Sequence, residues 1–231
     1  EGNARGLSVR VKYPRRGGFG LLSSDNTGPT RLHLMVPIRA ELEIDSVAAD
    51  VDVMGVAPAE LSIDSVSGNI TVVGAPSELS VESVSGDLRV TSNSREVDLA
   101  TVSGDIRLGG RIDGEISVGT VSGDADIAVH ETAVRSVSAA TVSGDIMLRT
   151  ALAAGGEIAM ESVSGDIDLR LPAALSAEVR GESFSGGLDA PGARIERPRH
   201  GPGASFEHRY GSGDGEITIE TFSGDGRLRL D

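Results

Sequence analysis

A five-residue signature that returns about every twenty residues constrains the fold of this chain more than any other feature. Its clearest copy reads Thr101-Val102-Ser103-Gly104-Asp105. The copies, including a degenerate first one, start at residues 46, 65, 83, 101, 120, 141, 162, 183 and 221. They lie 18 to 21 residues apart up to residue 183, and the last step is 38 residues. A period of this length is typical of a solenoid in which each repeat forms one coil.

The residues on either side of each signature alternate between apolar and polar, which predicts two short strands per coil. Leu61 and Ile63 precede one copy, and Ile70 and Val72 follow it. Apolar residues spaced by two indicate strands with one buried face. The two pairs are out of phase by one residue, so we expect a corner at Asp64-Ser65 that turns the following signature residues inward.

The signature valine is therefore predicted to be buried. Its column comprises Val66, Val84, Val102, Val121, Val142 and Val163, and Gly68 joins the same inward set. The glycine suits a position where stacked backbones approach closely or where φ is positive. The pattern leaves both reasons open.

These patterns predict an all-β fold: a single-domain parallel β-helix, or β-solenoid, of about nine to ten coils. We expect N-terminal cap strands, partly from the alternation of Leu32, Leu34 and Val36, because an uncapped solenoid edge pairs with other chains. The predicted division is cap strands at 1–40, solenoid repeats at 41–190, and a loop, a hairpin and the final coil at 191–231.

The charge of the chain is acidic and uneven. The net charge is −14, and residues 40–189 hold 26 acidic and 8 basic side chains, or −18. Such a surface argues against nucleic acid as a partner. There is no Cys, so neither disulfides nor thiolate metal sites are expected. No long apolar run occurs, so any membrane attachment would come from an anchor outside this sequence.

The last signature residue places carboxylates in a ladder along the predicted stack. Its members are Asp87, Asp105, Asp124, Asp145 and Asp166, with Asn69 and Asp225 near the ends. Carboxylates one strand apart repel each other, so a turn-type bond to a local backbone N–H, solvent or a cation must relieve the repulsion. We favour the local turn bond and expect neither a metal site nor a cofactor.

No catalytic constellation is evident. The serines and threonines of the signature are expected to hydrogen-bond along the stack, because a nucleophile would need a paired base. His33, His130, His200 and His208 lack zinc-type spacing. Arg107, Arg149 and Arg170 beside the acidic row are compatible with the groove of a polysaccharide lyase, although outward Arg residues more often pair across strands. We expect no enzyme.

One stretch breaks the rhythm and is the candidate for a partner-binding patch. Residues 191–210 are rich in Pro and Gly and carry basic and aromatic groups. The candidate residues are Arg194, Arg197, Arg199, His200, Phe206 and Tyr210. Arg and aromatic residues dominate binding hot spots, and loops on rigid scaffolds commonly bind partners. The alternative is an ordinary basic loop that lies against the acidic body.

The repeated Ser/Thr-Val-Ser-Gly-Asp-Ile, the entry at Val36-Pro37 and the closing segment from Tyr210 to Asp225 together resemble a known bacterial family. It is the putative-adhesin family of β-strand repeats, a domain of unknown function with repeated SVSGDI motifs. The resemblance covers residues 40–231. It implies a β-helix-like fold and a cell-envelope or extracellular setting, and it implies no established activity.

The sequence therefore predicts a non-enzymatic, adhesin-like interaction or structural module of the bacterial cell envelope. Its partner would be an unknown protein or glycan, and we expect a monomer. Two alternatives remain at this point: a self-assembling scaffold like the bactofilins, and a carbohydrate-active β-helix enzyme.

Overall fold

The computed structural model describes residues 2–3, 6–10, 31–198 and 202–231. Strands dominate these ranges, and they contain no helix that is long and apolar enough to cross a membrane. The chain divides into two compact units, Glu1–Met35 and Val36–Asp231.

The first unit holds one short hairpin, in which β1 (Gly2–Asn3) pairs antiparallel with β2 (Gly6–Leu7). Most of the predicted cap at 1–40 lies outside the described residues. The strand predicted from Leu32 to Val36 is absent, and both of these side chains are exposed. The alternation has no structural consequence there because the segment pairs with no described strand.

The second unit is a β-solenoid built from fifteen strands in one continuous, mostly parallel sheet. The strands are β3 (Leu42–Ser46), β4 (Val51–Val56), β5 (Glu60–Ser67), β6 (Ile70–Gly74), β7 (Glu78–Ser85), β8 (Leu88–Ser103), β9 (Ile106–Ser122), β10 (Ala125–Ser143), β11 (Ile146–Ser164), β12 (Ile167–Leu171), β13 (Ala177–Ser183), β14 (Leu188–Asp189), β15 (Ala204–Tyr210), β16 (Gly215–Ser223) and β17 (Gly226–Leu230). The predicted all-β parallel solenoid is confirmed.

The chain makes about seven turns in sequence order, slightly fewer than the nine to ten predicted, and its last layers stack out of that order. β16 lies between β11 and β13, and β17 lies between β12 and β14. The chain therefore jumps one layer ahead, crosses the end of the stack as antiparallel β15, and returns to fill the gap. The long final step of the repeat is this detour.

The core consists of aliphatic side chains stacked in columns, one from each coil. Leu61 and Ile63 on one strand and Ile70 and Val72 on the next are fully buried, and the coils on either side repeat them. The predicted corner at Asp64-Ser65 is wrong. Strand β5 runs straight through to Ser67, so its alternation continues and Ser65, not the residue after it, points inward.

The phase change between the two strands occurs at the signature glycine. Gly104 has a φ of 149°, and a Cβ on it would lie 2.2 Å from the carbonyl oxygen of Gly86 in the preceding coil. Both expected reasons for a glycine thus hold at the same residue. The chain turns there because only glycine combines this φ with so close a backbone approach.

The hydroxyl of the first signature residue is buried in every full copy. Hydrogen bonding along the stack, which the sequence predicted, holds at Ser183 and Thr221, whose hydroxyls donate to glycine carbonyls of the neighbouring layer. It fails in the middle of the stack. The hydroxyls there that find no partner among the described residues belong to Ser83, Thr101, Thr120, Thr141 and Ser162.

Replacing Thr120 by Val should stabilise the protein by up to about 1 kcal/mol. Thr120 is 5% exposed and its hydroxyl makes no hydrogen bond with the described residues. An apolar group of the same shape removes the desolvation cost of that hydroxyl. Urea unfolding of both proteins measures the change, and a loss of stability would indicate a bridging partner for the hydroxyl.

Candidate functional site

The signature valine forms an exposed column on the outside of the solenoid, so the prediction of a buried column is wrong. The valine side chains in this column are 47–51% exposed. They are Val66, Val84, Val102, Val121, Val142 and Val163. The physical reason is the straight run of each strand up to the glycine: the residue after an inward Ser or Thr must point outward.

Two aromatic residues extend the column at its C-terminal end. Phe222 follows Val163 in the stack and Phe184 follows Phe222, because β16 lies between β11 and β13. The two rings are parallel within 7° and their centroids are 4.7 Å apart. Both side chains are at least half exposed. The swapped layers therefore carry an apolar column to the end of the sheet.

A row of acidic residues runs beside this column, two positions earlier on each strand. The residues in register along the row are Asp45, Asp64, Glu82, Ala100, Gly119, Ala140, Glu161, Glu220 and Glu182. Three neighbouring layers in the middle thus carry small side chains where every other layer carries a carboxylate. We call the gap at Ala100, Gly119 and Ala140 the notch.

An open groove of about 880 Å³ includes the notch and the adjoining part of the column. Val121, Val142 and Val163 line it, and Phe184 and Phe222 lie towards its end. Pro198 and the start of β15 also contribute to its lining. The lining of the groove is mostly apolar.

The signature aspartates form a ladder of hydrogen bonds between coils rather than the predicted local turn bonds. The Oδ1 atom of Asp105 accepts from the backbone N–H of Asp124, at 3.2 Å, and Asp124 in turn accepts from Asp145, at 2.9 Å. The same bond recurs from Asp50 to Gly187 along the whole stack. Stacking brings each carboxylate to the next coil's N–H, which stabilises its charge.

Arginine relieves part of the remaining repulsion on this ladder. Arg107 donates to Asp105, two residues before it, and Arg89 and Arg227 make the equivalent contacts in their own coils. Arg170 pairs with Asp168 in the same way, and this raises its pKa. Two of the three arginines considered for a lyase groove are therefore paired on their own strands. No cluster of three or more potential metal ligands occurs among the described residues.

The described parts of the segment 191–210, residues 191–198 and 202–210, close the C-terminal end of the solenoid. Phe206 is 3% exposed and its ring lies over Gly181, so the prediction that Phe206 anchors a partner is wrong. Tyr210 donates its hydroxyl to the carbonyl of Pro191, at 2.7 Å, and its ring meets His208 edge-on. Burial raises the pKa of Tyr210.

The basic residues of the predicted patch divide into two pairs. Arg194 and Arg197 are exposed, and their role in binding stays a prediction. Arg199 and His200 lie outside the described residues. The described part of this segment therefore covers the end of the stack, and its aromatic residues serve that contact.

The turn before β16 offers a direct test of the structure. Hydrogen bonds from the hydroxyls of Ser212 and Ser176 lower the pKa of Asp214 below its ordinary 3.8. Because the folded pKa is the lower one, this stabilisation is complete above pH 3.8 and is lost as the pH falls through the folded pKa. Replacing both serines by Ala should raise the Asp214 pKa in an NMR titration, and an unchanged value would contradict the assignment.

Sequence reasoning missed the column and the notch, although the signals were present. Continuing the alternation of Leu61 and Ile63 through Ser65 places Val66 outside. The notch appears once the residue before each Ser or Thr of the signature is compared between copies. Both signals depend on knowing that the strand runs straight through these positions.

The family model of Toastrack DUF4097 matches residues 39–154 and, in a second match, residues 141–229. Among solved structures, the crystal structure of a putative cell adhesion protein from Clostridium sporogenes is similar to this chain. The two share 13% identity, with a TM-score of 0.39, over 82% of this chain and 93% of that one. No curated protein matches this chain at a significant level.

Proposed function

Since this chain belongs to the Toastrack DUF4097 family, we propose that it is a non-enzymatic interaction module of the bacterial cell envelope that binds a protein partner in the manner of an adhesin. The observation that carries the proposal is the exposed apolar column from Val66 to Phe184. Contiguous apolar surface on a soluble domain marks an interaction site.

The repetition of the column supports a role beyond folding. A valine that is half exposed contributes little to the core, yet the same position is apolar in eight successive layers of the stack. With strands about 4.8 Å apart, the column extends over roughly 34 Å, which is the scale of a protein-protein contact.

A retention experiment tests the proposal. The purified chain and a variant with Val102, Val121 and Val142 all replaced by Thr are immobilised and exposed to a cell-envelope extract. Thr keeps the β-branched shape and removes apolar surface, so the fold should persist. We expect a protein that the parent chain retains and the variant loses. Identical retention by both, with unchanged circular dichroism, would contradict the proposal.

The location and the lack of activity are parts of the same proposal. The family resemblance of the repeated signature supports the cell-envelope setting. Fractionation of the source organism with an antibody to this chain tests it, and recovery from the cytosol alone would contradict it. Incubation with polyuronides, with and without calcium, tests the absence of enzymatic activity, and any cleavage product would overturn it.

We propose that the chain acts as a monomer. The C-terminal layer carries antiparallel β15, which interrupts the parallel pattern that end-to-end stacking of solenoids would continue. Residue 196 adds a further bridge to β15 at residue 205. Light scattering over a range of concentrations should give the mass of one chain, and growth of the mass with concentration would support the scaffold alternative instead.

A further inference from the structure

We infer that the notch at Ala100, Gly119 and Ala140 is the docking site for a helix of a partner protein, one with an apolar centre and basic residues at both ends. This inference rests on the proposed function, and it specifies the site and the chemistry of the partner. Four observations support it: the shape of the notch, its apolar side, its charged ends and the lack of free backbone groups on its floor.

The notch is a real depression of the sheet surface. A Cβ added to Gly119 would meet no atom within 4 Å, and Gly119 has no positive φ that would demand glycine. Glycine at position 119 is therefore not required by the packing of its strand. Glu82 and Glu161 bound the notch in the same row, four layers apart. At about 4.8 Å per layer, these two residues are roughly 19 Å apart.

The side of the notch is apolar. Val102, Val121 and Val142 stand beside the three small residues, one in each of the same layers. Each is about half exposed, so its outer surface is available to a ligand. A helix placed over the small residues would pack its apolar side chains against these valines, and small residues under a helix allow a close approach.

The ends of the notch are acidic. Asp64 and Glu82 lie at one end, and Glu161, Glu220 and Glu182 lie at the other. None of these five carboxylates forms an ion pair with any residue that the structure describes. A ligand with Lys or Arg near both ends, about 19 Å apart, would therefore be complementary in charge.

The same charges decide between possible occupants. Residues 40–189 carry a net charge of −18, so the acidic rows of two copies of the chain would repel each other. An anionic membrane would be repelled for the same reason. The sheet face also offers no free backbone groups, since the strands here pair on both sides. A ligand must then satisfy its own backbone hydrogen bonds, which favours a helix. A helix spans roughly 19 Å in about 13 residues.

The test uses the full-length chain and a synthetic fluorescent peptide. The peptide is an amphipathic helix with Leu and Ala on one face of its central turns and three Lys at each end. A second peptide carries Glu in place of every Lys. Fluorescence anisotropy at physiological salt should show saturable binding of the first peptide alone. Equal binding of both peptides, or binding of neither, would overturn the inference.

Filling the notch separates docking from general charge attraction. The variant Ala100→Glu with Ala140→Glu continues the acidic row with a residue that neighbouring layers already carry, so the fold should accept it. Docking in the notch predicts binding weaker by about tenfold or more, the effect of losing a well-packed contact. Attraction by charge alone predicts tighter binding, because two negative charges are added. That outcome would overturn the inference.

Two further variants serve as controls. Thr91→Glu with Met147→Glu adds the same charge at exposed positions outside the groove, and binding should be retained. Gly119→Leu fills the notch without any charge and should weaken binding. If this variant binds as well as the parent chain, the notch is not the site. The retention experiment with the valine variant is independent of these peptides. If the parent chain retains a protein there but the basic peptide does not bind, only this inference is overturned and the proposed function stands.

Discussion

Replacing Gly104 by Ala should lower the free energy of unfolding by about 3–5 kcal/mol. The added Cβ would lie 2.2 Å from the carbonyl oxygen of Gly86, and the residue has a φ of 149°. Overpacking against backbone and an unfavourable φ each cost about 1–3 kcal/mol. The neighbouring coil cannot yield, because Gly86 itself donates a hydrogen bond to Ser103.

The matched control is Gly119→Ala, one coil further along. A Cβ there meets open space and φ is not positive. Restricting the unfolded chain should make this change neutral or stabilising by up to about 1 kcal/mol. Urea unfolding of both variants measures the difference. Equal losses of stability would show that the stacked backbones do not approach as closely at Gly104 as described.

Replacing Leu99 by Asp should lower the free energy of unfolding by about 4 kcal/mol or more, whereas Val102→Asp should cost less than about 1 kcal/mol. Leu99 is completely buried, and a carboxylate there has no partner. Val102 is 49% exposed, so its Asp remains in water. The two residues are three positions apart on one strand, which makes them a direct test of the strand's orientation.

Thermal unfolding followed by circular dichroism distinguishes the two variants. Destabilisation at Leu99 should spread to adjacent coils, because each coil of a solenoid is stabilised by its neighbours. A large loss of stability in Val102→Asp would show that the valine column is buried, as the sequence predicted. It would also remove the exposed column on which the proposed function depends.

The sheet order decides where the candidate site ends. The chain places β16 between β11 and β13, so Phe222, which comes 38 residues after Phe184 in the sequence, stands between Val163 and Phe184 in the column. In simple sequential stacking, Phe184 would follow Val163 directly. The path of the chain through β15, and not the repeat, therefore sets the order of Phe222 and Phe184 in the column.

The repeated signature by itself determined the architecture. A period near twenty residues with paired alternating segments leaves room for two strands and no helix, so equivalent strands must stack on one another. The same reasoning identified the aliphatic core from Leu61 to Leu169 and the need for glycine in each coil. These features follow from local spacing, which every copy repeats.

Only the tertiary structure decided which way the valines point, how the last layers are ordered and where the notch lies. The phase change between strands fitted either Asp64-Ser65 or Gly68, and the contact between stacked backbones at the glycine selects the second. Layers with nearly the same faces can stack in any order, so the connection through β15 sets it. The notch exists because the register aligns Ala100, Gly119 and Ala140, which are distant along the chain and adjacent in the sheet.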